Sequence, residues 1–201
     1  MKFTTSIFLC LFAALNSFGQ ESDDQIRYAE YWSGVEADFR NPEKSPLMEE
    51  DLADFDSIPR YAFNPDYRVE AVWEDVKRSK PFQIKATGKI RQRYQKVGLL
   101  HFAIGEDSLQ LPVYRNLSLM RNPEYKDHLF LPFTDETNGE STYGGGRYLD
   151  VSHPEGDTLV VDFNRAYNPY CAYNDKYSCP IPPKENRLKV RVEAGAKHEG
   201  Y

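Results

Sequence analysis

The fold is decided by residues 67–114, YRVEAVWEDVKRSKPFQIKATGKIRQRYQKVGLLHFAIGEDSLQLPVY. Five short runs follow one another in this stretch, at residues 67–73, 82–87, 90–97, 99–104 and 108–114. Most of them alternate between apolar and polar residues, which is typical of β-strands that bury one face. Turn residues separate the runs, with Gly88 before the third and Gly105 before the fifth. The stretch therefore predicts an antiparallel meander.

The flanking segments extend this prediction. Residues 128–133, 147–151, 158–163 and 188–192 are predicted to add further strands. Apolar residues recur every three or four positions over residues 21–39, which predicts an amphipathic helix. A shorter second helix is predicted to begin at Ser45 and Pro46 and to end before Pro59. The predicted fold is α+β, mostly β, with two N-terminal helices followed by a curved antiparallel sheet, a sandwich or a partly closed barrel.

The first nineteen residues have the pattern of a secretory signal peptide. Lys2 is followed by an apolar run over residues 7–15 and by the small residues Ser17 and Gly19. The apolar run is too short to span a bilayer, and no later segment is apolar enough to do so. We expect cleavage before Gln20, and export to the periplasm or the medium. Residues 20–201 then suit a single globular domain.

Charge is distributed unevenly along the chain. Residues 20–76 contain 16 acidic and 5 basic residues, and residues 97–201 contain 15 acidic and 11 basic residues. Residues 77–96, between them, contain 8 basic residues and no acidic residue. The net charge of −6 argues against a general nucleic-acid-binding protein, which needs a basic surface. The basic segment is interpreted as a charged sheet edge that resists unwanted pairing, with an anion-docking patch as the alternative.

Cys171 and Cys179 are the cysteines that remain after the expected cleavage. An even pair in an exported chain predicts a disulfide, with a metal site or a reactive thiol pair as the alternative. No metal site is predicted, because neither a histidine beside the cysteines nor a calcium-loop spacing is present. No cofactor is expected.

Two polar, turn-rich stretches stand out in the last third of the chain. The first is FTDETNGESTYGGGRY at residues 133–148, and the second is DFNRAYNPYC at residues 162–171, followed by CPIPP at residues 179–183. In their residues and in their order along the chain, these stretches resemble those of a bacterial and archaeal family known as domain of unknown function 1684. The resemblance implies membership of that family and carries no activity, ligand or catalytic residue with it.

Polar and aromatic side chains in these stretches form the predicted ligand site. The predicted ligand-binding residues are Asp135, Tyr143, Arg147, Asp162, Asn164 and Tyr167. Hydrogen-bonding groups and aromatic faces held on constrained backbone are what a specific pocket needs. The chain is accordingly interpreted as an exported binding module for a polar or anionic small molecule.

Two alternatives use the same residues. In the first, the chain is a hydrolase in which Asp135 and Asp162 act as an acid and base pair and Arg147 stabilises developing negative charge. In the second, the polar residues form a buried network that only holds irregular loops together. The three glycines at residues 144–146 are interpreted as allowing positive φ in a tight loop, with close approach of a ligand as the alternative.

Overall fold

The computed structural model describes residues 22–198. The helices are α1 (Asp23–Arg40) and α2 (Glu49–Leu52). The strands are β1 (Arg68–Asp75), β2 (Phe82–Gln83), β3 (Arg93–Ile104), β4 (Asp107–Asn116), β5 (His128–Phe133), β6 (Arg147–Ser152) and β7 (Thr158–Asp162). The fold is mostly β, as predicted, and forms a curved antiparallel half-barrel.

The seven strands form one sheet in the order β6-β5-β4-β3-β1-β7, with β2 beside β3. The predicted strands at 90–97 and 99–104 are one continuous strand, β3, which has an irregular register between Lys96 and Gly98. Gly98 is needed there because the Trp73 ring occupies the space that a Cβ atom would fill. The predicted strand at 188–192 is not a strand. Its backbone pairs instead with the loop after β5, where Leu188 N donates to Thr134 O.

The first predicted helix is confirmed as α1, and its start is fixed by a capping box between Ser22 and Gln25. The buried Trp32 of α1 donates from Nε1 to the backbone oxygen of Asn164 over 3.0 Å, which ties the helix to the residues after β7. The prediction of a second comparable helix is only partly correct. The Ser45 hydroxyl accepts from Leu47 N and closes a local turn, so the helix begins only after Met48 and runs for 4 residues. No helix among residues 22–198 is long and apolar enough to span a bilayer.

Three groups of buried side chains hold the molecule together. The largest lies on the sheet and includes Leu100, Leu111, Leu129, Leu131 and Phe163. The second lies under α1 and comprises Trp32, Phe39, Leu47, Ile58, Tyr173 and Ala196. The third is mostly aromatic and comprises Ile84, Tyr94, Tyr114, Phe130 and Tyr148. Members of the second and third groups also line a cleft, which is called the main cleft below.

Candidate functional site

Arg147 and Asp135 form an ion pair that is closed off from solvent. Arg147 Nη2 lies 3.1 Å from Asp135 Oδ1, and neither side chain has any exposed area. The guanidinium also donates to the backbone oxygens of Val192 and Ala194 and lies over the ring of Phe133. Arg147 Nε has no hydrogen-bond partner among the described residues. Burial lowers the pKa of Arg147, and the Asp135 carboxylate opposes that effect.

The Asp135 carboxylate is fully engaged by the protein. Its Oδ2 accepts from Val192 N over 2.8 Å and from the Thr137 hydroxyl over 2.7 Å. Asp135 and Arg147 thus connect the loop after β5 and the start of β6 to residues 192–196. Neither group faces solvent, so this pair favours the scaffold alternative over a ligand-binding or catalytic role.

Asp162 and Asn164 belong to a second network. Asp162 is the N-cap of a 3₁₀ turn over Phe163–Arg165 and accepts from Asn164 N over 3.1 Å. Asn164 is fully buried. Its side-chain Oδ1 accepts a hydrogen bond from Asn64 N over 2.9 Å, and its Nδ2 donates one to Asn64 O over 2.9 Å. Among residues 22–198 no hydrogen bond links Asp162 to Asp135 or Arg147.

The two predicted tyrosines lie in different places. The Tyr143 hydroxyl lies 3.8 Å from Cys171 Sγ, and its ring meets His198 edge-on. The Tyr167 hydroxyl donates to Asp150 Oδ2 over 2.9 Å. Tyr167 is the one predicted ligand-binding residue that lines the main cleft of the described structure.

The predicted disulfide between Cys171 and Cys179 is not found, and both residues are free thiols. The backbone N–H of Cys171 donates to Cys179 Sγ over 3.2 Å. A hydrogen bond from the Cys179 thiol lowers the pKa of Cys171 to about 6, and the same bond raises the pKa of Cys179. The disulfide was predicted because an exported chain enters an oxidising compartment, where disulfides form and persist.

The main cleft, with a volume of about 620 Å³, lies between α1, the β5–β6 hairpin and residues 167–180. Its size is in the range typical of small-molecule sites. Aromatic side chains dominate its walls: Tyr31, Trp32, Phe39, Tyr94, Phe130, Tyr148, Tyr167, Tyr170, Tyr173 and Tyr177. The charged or titratable groups of its lining are Asp38, His128, Asp150 and Cys179. This is the candidate site of the molecule.

A chain of three polar side chains crosses one wall of the cleft. His128 Nε2 lies 2.8 Å from Asp150 Oδ1, and Tyr167 donates to the other oxygen of the same carboxylate. The pairs His128↔Ser152 and Phe130↔Asp150 of the β5–β6 ladder place His128 and Asp150 diagonally across the two strands. This group was not predicted from the sequence. Antiparallel pairing of the predicted strands at 128–133 and 147–151 accounts for the approach of His128 and Asp150, whereas Tyr167 reaches Asp150 from outside these strands.

Two buried polar atoms of cleft-lining residues lack a hydrogen-bond partner among the described residues. They are His128 Nδ1 and Asn168 Oδ1. The orientation of the Asn168 amide is fixed, because its Nδ2 donates to Lys197 O over 2.9 Å. Buried polar groups are nearly always hydrogen-bonded in proteins, either to other protein groups or to ordered water.

Comparison with known proteins places the chain in a family. Residues 53–197 match the family model described as "Protein of unknown function (DUF1684)". The chain belongs to this family. The solution NMR structure of an uncharacterised protein from Haloarcula marismortui is similar, with 32% identity, a TM-score of 0.65, and coverage of 88% of this chain and 97% of that one. A search of curated proteins gave no match.

No cluster of three or more His, Cys, Asp or Glu side chains suited to a metal ion occurs in the described part of this DUF1684 chain.

The hydrogen bond to Asp150 raises the pKa of His128 above its usual value, and partial burial opposes the shift. Because the pKa of His128 is higher in the folded chain than in the unfolded chain, the His128–Asp150 pair stabilises the fold fully at pH values below the unfolded pKa of about 6.5. This stabilisation is lost as the pH rises through the folded-state pKa of His128. We expect an NMR titration to give His128 a pKa above that of a free histidine, and Asp150→Asn to lower it. Glu74→Gln is the control, because it removes the carboxylate that pairs with a different histidine, the exposed His101. This change should leave the titration of His128 unaltered.

Proposed function

We propose that this protein binds a small organic molecule in the aromatic cleft. The observation that supports the proposal is a cleft of about 620 Å³ with mostly aromatic walls, one of which carries the hydrogen-bonded group His128, Asp150 and Tyr167. Apolar and aromatic walls with a few convergent polar groups are the usual composition of a ligand site. The proposed function therefore keeps the small-molecule role expected from the sequence and, apart from Tyr167, assigns it to other residues.

The charges of the cleft bear on the ligand. No lysine or arginine is among the described residues that line it, whereas Asp38 and Asp150 are. Asp38 is paired with Lys44 over 2.7 Å and Asp150 with His128, so the wall carries little free charge of either sign. An anion would find no cation in the cleft apart from protonated His128. The arrangement favours an uncharged polar molecule with a flat or ring-shaped apolar part that packs on the tyrosines.

The first test is a thermal-shift screen of sugars, aromatic alcohols, nucleosides and organic acids, because a ligand that binds only the folded chain raises its melting temperature. Tyr170→Ala is the variant of choice, since Tyr170 lines the cleft and is 44% exposed. We expect this variant to change the free energy of unfolding by no more than about 0.5–1 kcal/mol, and to reduce or abolish the shift given by the ligand.

Val160→Ala is the matched control, because Val160 is 45% exposed on β7 and does not line the cleft. It should keep the full ligand shift. A ligand whose shift survives Tyr170→Ala and Tyr167→Phe unchanged would show that binding occurs elsewhere and would refute the assignment of the cleft.

We also propose that the protein is exported. Support comes from the signal-like pattern of residues 1–19, which lie outside the described residues. The intact mass of the protein recovered from the periplasm or the medium should correspond to a chain that begins at Gln20. Recovery of the uncleaved chain from the cytoplasm alone would exclude export.

A further inference from the structure

The basic segment between β1 and β3 presents an unusual surface. Seven side chains of residues 77–93 are exposed and form no ion pair with any described residue: Lys77, Arg78, Lys80, Lys85, Lys89, Arg91 and Arg93. The sequence has no acidic residue from residue 76 to residue 105, so the positive charge is not neutralised locally along the chain. The whole protein is nevertheless acidic, with a net charge of −6.

An exposed apolar side chain stands in the middle of these cations. Ile90 lies between Lys89 and Arg91 and is 70% exposed, the largest exposed fraction among the large hydrophobic side chains of the described residues. Ile181, which is 42% exposed, lies on the neighbouring segment. Charged side chains are sufficient to keep a sheet edge from pairing with another chain. Protection against aggregation therefore explains the cations of this segment but not the exposed Ile90 among them.

Hydrogen bonds hold the two segments together. Ser178 Oγ donates to Ile90 O over 2.7 Å, and Ile181 N donates to Lys85 O over 2.7 Å. Thr87 N also donates to Cys179 O over 2.9 Å. The cations and the two isoleucines therefore belong to one supported surface, which we call the basic tip: residues 77–93 together with residues 178–181.

We propose that the basic tip docks on an anionic lipid surface, with Ile90 entering the boundary between headgroups and acyl chains. Lysine and arginine near an anionic bilayer are each attracted by the surface potential, and an apolar side chain among them adds a second signal. The acidic remainder of the protein opposes this contact weakly, because charges more than about 8 Å away are largely screened at physiological ionic strength.

Lipid is favoured over a nucleic acid because of Ile90. Phosphate groups of a polynucleotide attract the cations but give an isolated isoleucine nothing apolar to enter. The proposal does not depend on the proposed function of the cleft. Residues 178–180 belong to both the tip and the cleft lining, so docking would bring the cleft close to the bilayer.

The test is co-sedimentation of the whole protein with vesicles of phosphatidylcholine alone or with about one-third phosphatidylglycerol. We expect binding only to the anionic vesicles, and weaker binding in high salt. Lys89→Gln with Arg91→Gln should weaken binding about 30-fold, taking the usual attraction of each basic residue to the surface. Ile90→Ser retains every charge and should weaken binding about tenfold.

Lys44→Gln with Lys126→Gln is the control, because it removes the same charge from two exposed lysines outside the tip. This variant should bind as the unaltered protein does. The proposal is overturned if anionic vesicles are not bound, if the control loses as much binding as the tip variant, or if Ile90→Ser has no effect. Binding to a single-stranded oligonucleotide with equal affinity and the same dependence on Lys89 and Arg91 would also overturn it, in favour of a general polyanion site.

Discussion

Arg147→Ala should lower the free energy of unfolding by about 3–5 kcal/mol, because removal of one member of a buried ion pair leaves the other charge without a partner. The Asp135 carboxylate would remain in the interior without its cation, and the backbone oxygens of Val192 and Ala194 would lose their donor. Folded proteins of this kind are stable by only about 5–15 kcal/mol. The variant is expected to melt about 10 °C lower, as measured by circular dichroism.

Arg191→Ala supplies the comparison. Arg191 is 41% exposed and pairs with Glu140 and Glu193 on the surface, where solvent screens ion pairs and leaves them little effect on stability. The two variants remove the same charge from the same part of the chain and differ in burial. Equal, small losses of stability would mean that Arg147 is not a structural residue, and would reopen its predicted role in ligand binding.

Gly146→Ala should also be strongly destabilising, by about 3 kcal/mol or more. Gly146 has a φ of +90°, and a Cβ atom there would lie 2.6 Å from the backbone oxygen of Phe133. A residue with a side chain is strained at this φ, and the rigid backbone of β5 cannot move aside cheaply. Urea denaturation of the purified variant measures the loss as a lower midpoint.

Gly144→Ala is the matched control within the same glycine run. Gly144 does not have a positive φ, and the nearest atom to a methyl group added there would be Gly139 Cα at 3.8 Å. This variant should fold with nearly unchanged stability. If both variants behave alike, the backbone shape at Gly146 is not the reason for the glycine, and close approach of a ligand becomes the better interpretation of the run.

Several elements were predictable because their causes are local. The spacing of apolar residues along α1 and the alternation along β1 reflect which face each element buries, and neighbouring residues in the sequence encode that pattern. Positive φ in the glycine run was predicted for the same reason, since it depends on the absence of a side chain at one position. The length of the second helix was not predictable, because the Ser45 hydroxyl closes a turn without starting a helix.

The candidate site was the least predictable part. The sequence by itself determined a mostly β, antiparallel fold, its main helix and the polar stretches typical of the family, because each is encoded over a few consecutive residues. Tertiary structure decided what those polar residues do: Asp135 and Arg147 meet in the interior, whereas His128 meets Asp150 and Tyr167 at the cleft. Burial and proximity between residues far apart in the chain depend on how the sheet curves and which loops pack on it, and no local pattern of residues specifies that.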